Sequence, residues 1–474
     1  MPPHSHHKES VGGLGKMVKI LLTLLPILTV VSCSPIINPN IVNKHVERII
    51  DLTSQLVKIT STITLENTGK ESVNNFHLIF EPGQGGNLSY RILKDTAKDE
   101  LRVTPVKIEN YKDTFNVKLN QPLNSGKTTT ITLEYIFTNA LVPYPSSITQ
   151  KERQLVRYFG NVYFYSPYKT VKQSSSIILS SRNIESYTKV KPVSVSDSTI
   201  NYGPYSEIKP FTTESLVVHY ENNSPFLRVT KLDRLIEISH WGNIAVQEDI
   251  EILHTGAKLQ GPFSRYDYQR DTSSNHHSIK SYKTILPAAA HSIYYRDSNG
   301  NISTSQVRAR KDWIELELRP RFPLFGGWKS SYTLGYSIPS YQYLYKMPSG
   351  SYMLRMRLLD HVFDDMHVDQ LETNVVLPLG VTNVQLKFPY SVDRLSDDIA
   401  HKYLDSVGRQ VIRLKKSNLV EQHIQDLDIV YDWQPFLLFH KPILIAICLY
   451  ALFLLVIVYV RLDFSIHKPE NKKD

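Results

Sequence analysis

The densest gathering of chemically capable side chains is Asp360-His361-Val362-Phe363-Asp364-Asp365-Met366-His367. Imidazole nitrogens and carboxylate oxygens are the donor set of a zinc site, so His361, Asp364, Asp365 and His367 invite a metal-site reading. The spacing resists it: a separation of six along a strand puts both histidines on one face but about 20 Å apart. Only a turn would bring them to one ion; otherwise the run is a polar loop between strands. No HExxH, P-loop, GxGxxG or GxSxG occurs. Gly326-Gly327-Trp328 is too short and too aromatic to cradle a phosphate, and its glycines read as a turn that lets Trp328 settle into a core. The sequence thus offers no catalytic, cofactor-binding or metal residues. Its candidate sites are acceptors of sugar: Asn87-Leu88-Ser89, Asn222-Asn223-Ser224 and Asn301-Ile302-Ser303 are N-glycosylation sequons, and Asp297-Ser298-Asn299-Gly300 makes the third an exposed turn.

The elements that would carry these residues are bounded by two apolar runs. Residues Ile20 to Val31, approached by Lys16 and Lys19 and left through Ser32-Cys33-Ser34, are too short to span a bilayer and have the three parts of a secretory signal peptide. Cleavage is expected after Cys33, which makes 1–33 the signal and removes the His4, His6 and His7 tract; an uncleaved anchor is the alternative. Ile443 to Val460 holds 18 residues without a charge, rising about 27 Å at 1.5 Å per residue, close to a hydrocarbon core. It reads as a transmembrane helix within 437–460, followed by a cytosolic tail, 461–474. Everything between signal and helix would then be luminal, a single-pass type I arrangement.

The cysteines are Cys33 and Cys448; neither lies in that luminal part, so a disulfide-stapled module is excluded. A net charge of +9 suits nucleic acid in principle, yet the basic residues are scattered and the compartment is wrong. The 28 tyrosines cluster at Tyr266 and Tyr268, Tyr294 and Tyr295, and Tyr341, Tyr343 and Tyr345, positions suited either to a docking face or to ordinary strand packing.

Period-two alternation dominates: Val57, Ile59, Ile63 and Leu65 interleave with polar residues, as do Ile131, Leu133 and Tyr135; Ile314, Leu316 and Leu318; and Leu354, Met356 and Leu358. The fold class expected is mainly β, two tandem β-sandwich-like domains at 34–225 and 226–436, joined by a linker at Glu221 to Leu227. A duplication underlies the division. Val57-Lys58-Ile59-Thr60 through Asn67-Thr68-Gly69-Lys70 resembles Val246-Gln247-Glu248-Asp249 through His254-Thr255-Gly256, and Arg48-Ile49-Ile50 precedes the one as Arg234-Leu235-Ile236 precedes the other.

Long strings carry a more specific likeness. Ser239-His240-Trp241-Gly242-Asn243-Ile244-Ala245-Val246, Gly261-Pro262-Phe263-Ser264-Arg265-Tyr266-Asp267-Tyr268-Gln269-Arg270, Lys283-Thr284-Ile285-Leu286-Pro287-Ala288-Ala289-Ala290 and Arg319-Pro320-Arg321-Phe322-Pro323-Leu324-Phe325-Gly326-Gly327-Trp328 closely resemble the ribophorin I family, subunit 1 of oligosaccharyltransferase. So do Asn418 to Asp426 and Tyr459 to Ile466, while the N-terminal half is looser. The resemblance implies a non-catalytic subunit of the endoplasmic reticulum complex that moves oligosaccharide from dolichyl diphosphate to Asn-x-Ser/Thr, stabilising the complex and guiding substrate chains. It implies no cofactor. The partners implied are the other subunits, including a catalytic multi-spanning one, nascent polypeptides, the translocation channel and the endoplasmic reticulum membrane. The end after Val460 looks like the short fungal-type form. A luminal metallo-enzyme and a lone single-span receptor are the competing readings.

Overall fold

The computed structural model describes residues 37–462 apart from positions 84, 109–110, 271–276 and 406 and the side chain of Lys112. The expected signal peptide, and the tail beyond Leu462, lie outside the described residues.

Alternating sequence becomes alternating burial. In β1 (Ile41–Leu52) and β2 (Val57–Asn67), which pair antiparallel, every odd-numbered residue of β2 is buried and every even one is partly exposed. With β3 (Leu88–Lys94), β4 (Thr128–Phe137), β5 (Thr170–Leu179) and β6 (Thr199–Ile208) they form a sheet in the order β6-β5-β1-β2-β4-β3, bordered at β6 by Val193–Ser196. Here β1 and β5 run parallel. The second half repeats the pattern: β7 (Leu227–Ser239), β8 (Asn243–His254), β9 (His291–Asp297), β10 (Lys329–Pro339), β11 (His367–Val376) and β12 (Arg409–Val420) lie in the order β12-β11-β7-β8-β10-β9. Its parallel pair is β7 with β11. Each strand of the first sheet has a counterpart six labels later with the same neighbours and directions. The register repeats as well: Arg48 faces Ser61 as Arg234 faces Glu248, and Ile59 faces Tyr135 as Val246 faces Tyr336. A structural repeat is present, and its register sets Ile59, two residues after Val57, level with Val246.

Each large sheet is covered on its apolar face by one four-stranded and one three-stranded sheet, the sandwich arrangement expected of half-buried antiparallel strands. In the first half, Ile50, Ile59 and Leu133 meet Val156 and Tyr220 from one covering sheet and Phe76 and Val117 from the other. In the second, Ile236, Val246 and Val375 meet Leu286, Leu316, Leu354 and Ile429. One core runs to Phe226 and the other starts at Leu227. Each fully buried Val, Leu or Ile contributes about 1.5–3 kcal/mol, which is how such modules hold without disulfides.

The segment between the cores is not the loose linker its Asn-Asn-Ser-Pro composition suggests. Asn222 is fully buried, and its amide nitrogen lies 3.3 Å from Leu52 O and 3.2 Å from Ser54 O at the end of β1. Gln154 pairs with it through its backbone carbonyl and its side chain, both at 2.9 Å, and also accepts the Ala257 N–H of the second half at 2.8 Å. Polarity here satisfies buried backbone groups and ties the halves together.

After a 3-10 turn at Pro435–Phe439, the chain ends its described course as helix His440–Arg461, 22 residues with none buried. About 33 Å long, it is able to span a bilayer.

Candidate functional site

The four residues that could have formed a metal site do not converge: His361 and Asp364 face each other, while His367 and Asp365 turn elsewhere. His361 Nε2 is 3.2 Å from Asp364 Oδ1, whereas His367 Nε2 faces Asp369 Oδ1 at 3.4 Å. Asp365 forms an ion pair with Lys58 of the first half, and its carbonyl accepts the Gln55 amide at 2.7 Å. Among the described residues no three His, Cys, Asp or Glu side chains gather around a point where a cation could sit. Burial pushes His367 down to about 4, so its ring is neutral at physiological pH.

The remaining acid of that run, Asp360, has a structural partner. Arg234, 1% exposed, ion-pairs with Glu248 and lies 2.7 Å from Asp360 Oδ2, while the Tyr336 hydroxyl donates to the same carboxylate. All four groups are sealed between sheets. Burial pushes the Glu248 carboxyl up to about 7 against the pull of Arg234, because one guanidinium cannot balance two buried carboxylates. At the equivalent place in the first half, Arg48 faces Ser61 and instead donates to the carbonyl of Asn161 at 3.1 Å. A sealed network of this kind holds sheets in register and offers nothing to a substrate.

The open surface that two halves create together is the better candidate. A small apolar cluster of Leu56, Ile136 and Val420 joins them, reinforced by Ser89 Oγ to Asn418 O at 2.7 Å and Thr138 Oγ1 to Asn418 Oδ1 at 2.9 Å. Beside this seam opens a groove of about 710 Å³, walled by Leu88, Tyr90, Arg91 and Arg102 on one side and Tyr390, Lys416 and His423 on the other. Tyr90 and His423 meet edge to face across it at 5.7 Å. Burial holds His423 down to about 4, so its imidazole is neutral. β3 is the edge of its sheet; Asn418 of β12 meets its start through Ser89, and at its end Lys94 bridges Glu100 and Leu101 N–H donates to Leu93 O at 2.8 Å. Its remaining outward backbone groups face the groove, a template for an extended peptide, flanked by tyrosine faces and the cations Arg102 and Lys416.

The sequons have three different settings. Asn301 is exposed at a hairpin tip where Gly300 adopts φ +117° and Asn299 N–H is held by Asp297 Oδ1 at 2.9 Å. Asn87 is exposed at the end of a 3-10 turn, although Ser89 of its sequon is engaged at the seam. Asn222, expected as a third acceptor, has its amide nitrogen turned into the fold, with Ser224 Oγ donating to its Oδ1 at 2.6 Å.

The tyrosine clusters do not share a surface: Tyr295, on β9, is buried, while Tyr266, on the short helix Arg265–Arg270, and Tyr341, in the 3-10 turn Ser340–Gln342, are 65% and 75% exposed. Gly326-Gly327-Trp328 is a turn, with Gly327 at φ +85°, and a Cβ on Gly326 would come 1.8 Å from Ala257 O. Its Trp328 meets Phe263, Phe322 and Phe325. Sequence reasoning missed the groove and the Gln154 clasp; the Arg234 cluster had a signal, charges at inward-facing strand positions.

The model of the family Ribophorin I matches residues 41–460. Subunit 1 of the dolichyl-diphosphooligosaccharide–protein glycosyltransferase of Caenorhabditis elegans is 41% identical over 431 residues, covering 90% of this chain and 73% of that protein. Subunit 1A from Arabidopsis thaliana is 37% identical over 464 residues, covering 95% and 75%. Subunit 1B from Oryza sativa is 35% identical over 441 residues, covering 89% and 91%. Among solved structures, the leukotriene A4 hydrolase of Saccharomyces cerevisiae matches at a TM-score of 0.28 and 10% identity, over 41% of this chain and 31% of that one, a likeness too slight to bear on function.

Proposed function

The chain belongs to the ribophorin I family, and on that footing we propose that it is a non-catalytic subunit of oligosaccharyltransferase in the endoplasmic reticulum membrane. The observation that carries the reading is the match of 41–460 to the family model, together with 37–41% identity over most of the chain to proteins named as subunit 1 of that transferase. In this reading residues 34–225 and 226–436 are two luminal domains, the helix crosses the membrane once, and the tail is cytosolic. The chain contributes surfaces to protein N-linked glycosylation, while another, multi-spanning subunit performs the transfer. The groove beside β3 supports a guiding role: an extended nascent chain adds to the free edge by main-chain pairing, which is indifferent to sequence. Asn301 is the favoured glycan acceptor, Asn87 a second, and Asn222 a structural residue.

Mild-detergent purification of the tagged chain from microsomes tests the assignment. Co-purification of the transferase subunits, with under-glycosylation of reporter proteins on depletion, is expected; a chain that purifies alone, or that glycosylates an acceptor peptide unaided, refutes it. A photo-crosslinker at Arg102 tests the groove: adducts with sequon-bearing nascent chains are expected, and their absence from Arg102 alongside adducts elsewhere on the chain removes the guiding role. Protease added outside sealed microsomes should spare residues 34–436; digestion of that bulk overturns the topology.

A further inference from the structure

Three segments far apart in sequence surround the base of the C-terminal helix, and each presents large apolar side chains to solvent. The hairpin tip between β7 and β8 carries Trp241, 68% exposed; the loop before β12 carries Tyr403 and Val407, 86% and 71% exposed; the turn before the helix carries Phe436 and Phe439, 66% and 58% exposed. In a fold that buries its apolar residues by strict alternation, such a gathering needs a covering partner.

The three segments are locked to the helix base. Lys441, in the first turn of the helix, reaches Asp405 Oδ1 at 3.0 Å and the Tyr403 carbonyl at 2.7 Å, and the Asp405 side chain has no exposure. Arg409 joins Asp405 at 2.9 Å and Glu237 of β7 at 3.1 Å, and Lys402 also reaches Glu237, at 3.3 Å. Behind them the His240 ring stacks on Trp433 with centroids 3.7 Å apart and planes within 2°, and Trp433 Nε1 donates to Leu379 O at 3.0 Å. The exposed side chains therefore have a fixed position relative to the helix axis.

We propose that this face is a membrane seat, resting in the headgroup and upper acyl layer of the bilayer that the helix crosses. The inference rests on the reading of that helix as membrane-spanning. The partner is a lipid surface because the face is continuous with the helix: Phe439 immediately precedes its first residue, and the charge-free run starts at Ile443. The aromatic residues Trp241, Tyr403, Phe436 and Phe439 are the types that populate membrane interfaces. Asp405 and Glu237 are both matched by cations among Lys402, Arg409 and Lys441, so no unpaired carboxylate of this cluster opposes the phosphate layer. The luminal module is thus held against the membrane at a defined tilt.

The test uses the mature chain, from Ser34 to its end, with C448S, a single cysteine at V407C, Y403C or V171C, and an environment-sensitive nitrobenzoxadiazole label, reconstituted in phosphatidylcholine vesicles. Val171 is an exposed control on β5, level with the start of β1 and at the end of the first half away from the joint. Blue-shifted emission at 407 and 403, quenched severalfold more than at 171 by lipids spin-labelled near the headgroup, supports the seat. Emission at 407 and 403 as water-like and unquenched as at 171 overturns it, as does shielding that appears only in the assembled complex and ignores the lipid quencher, which would make the face a protein contact. Resistance of the chain to alkaline extraction from the vesicles reads helix insertion separately, so failure of the seat and failure of the transmembrane reading are distinguishable.

Discussion

Replacing Arg234 with methionine tests the logic of the second sandwich at its most sensitive point. The guanidinium is 1% exposed and is shared by Glu248 and Asp360, whose side chains are each 2% exposed. Its removal leaves two buried carboxylates with the Tyr336 hydroxyl as the remaining donor to Asp360. Breaking a buried pair on one side costs about 3–5 kcal/mol, a large share of the 5–15 kcal/mol that holds a domain. The cost carries a pH signature. Glu248 sits at about 7 in the fold against 4.5 ordinarily. A carboxyl raised by folding contributes stability fully present below its unfolded value, and that contribution is lost as pH climbs to the folded one. In the intact protein the loss is complete near pH 7; without Arg234 the Glu248 carboxyl rises further, so the loss extends above pH 7. The four tryptophans, Trp241, Trp313, Trp328 and Trp433, all lie in the second half. Denaturant titration followed by tryptophan fluorescence therefore reads that half alone. R234M should lower its midpoint strongly and add the alkaline slope, and R234M/E248Q/D360N should recover at least half the loss. A change below about 0.5 kcal/mol, typical of a neutral surface substitution, or an R234M titration flat from pH 7 to 8.5, would refute the reasoning.

Burial lowers His254, His367 and His423 from 6.5 to about 4; the unfolded chain thus takes up protons first, and stability, full above pH 6.5, should fall toward pH 4 by about 1.4 kcal/mol per unit for each histidine. Acid titration should show this window, and a chain equally stable at pH 7 and 5 would contradict it. N301Q should remove one endoglycosidase-sensitive step on a gel, whereas N222A should leave the glycan count unchanged yet cost about 1–3 kcal/mol through the buried carbonyls of Leu52 and Ser54; a lost step in N222A would show that the site is modified after all. G326A drives a methyl into the Ala257 carbonyl and should destabilise the second half by about 1–3 kcal/mol, with Trp328 fluorescence as reporter; a neutral result would mean that the two backbones can part.

Strand parity was legible because it is local. A period of two assigns a face from composition alone, so Val57, Ile59, Ile63 and Leu65 on β2, and Ile314, Leu316 and Leu318 later, are buried as their spacing requires. The apolar length of Ile443 to Val460 likewise fixes a helix able to cross a bilayer. The repeat was visible where matching registers kept similar residues, Arg48 with Arg234 above all. The candidate site was not legible, because it is made of distance-blind pairings: β3 is a free edge only because of the sheet order, and Tyr90 meets His423 across several hundred residues of chain. Asn222 shows the same limit. Its sequon is a three-residue pattern, but whether its amide meets solvent or the end of β1 depends on contacts with Leu52 and Gln154, which only the packed fold supplies. Sequence determined which way each side chain faces; tertiary structure decided what it finds there, since a face is set by neighbours along the chain and a partner by strands brought together from afar.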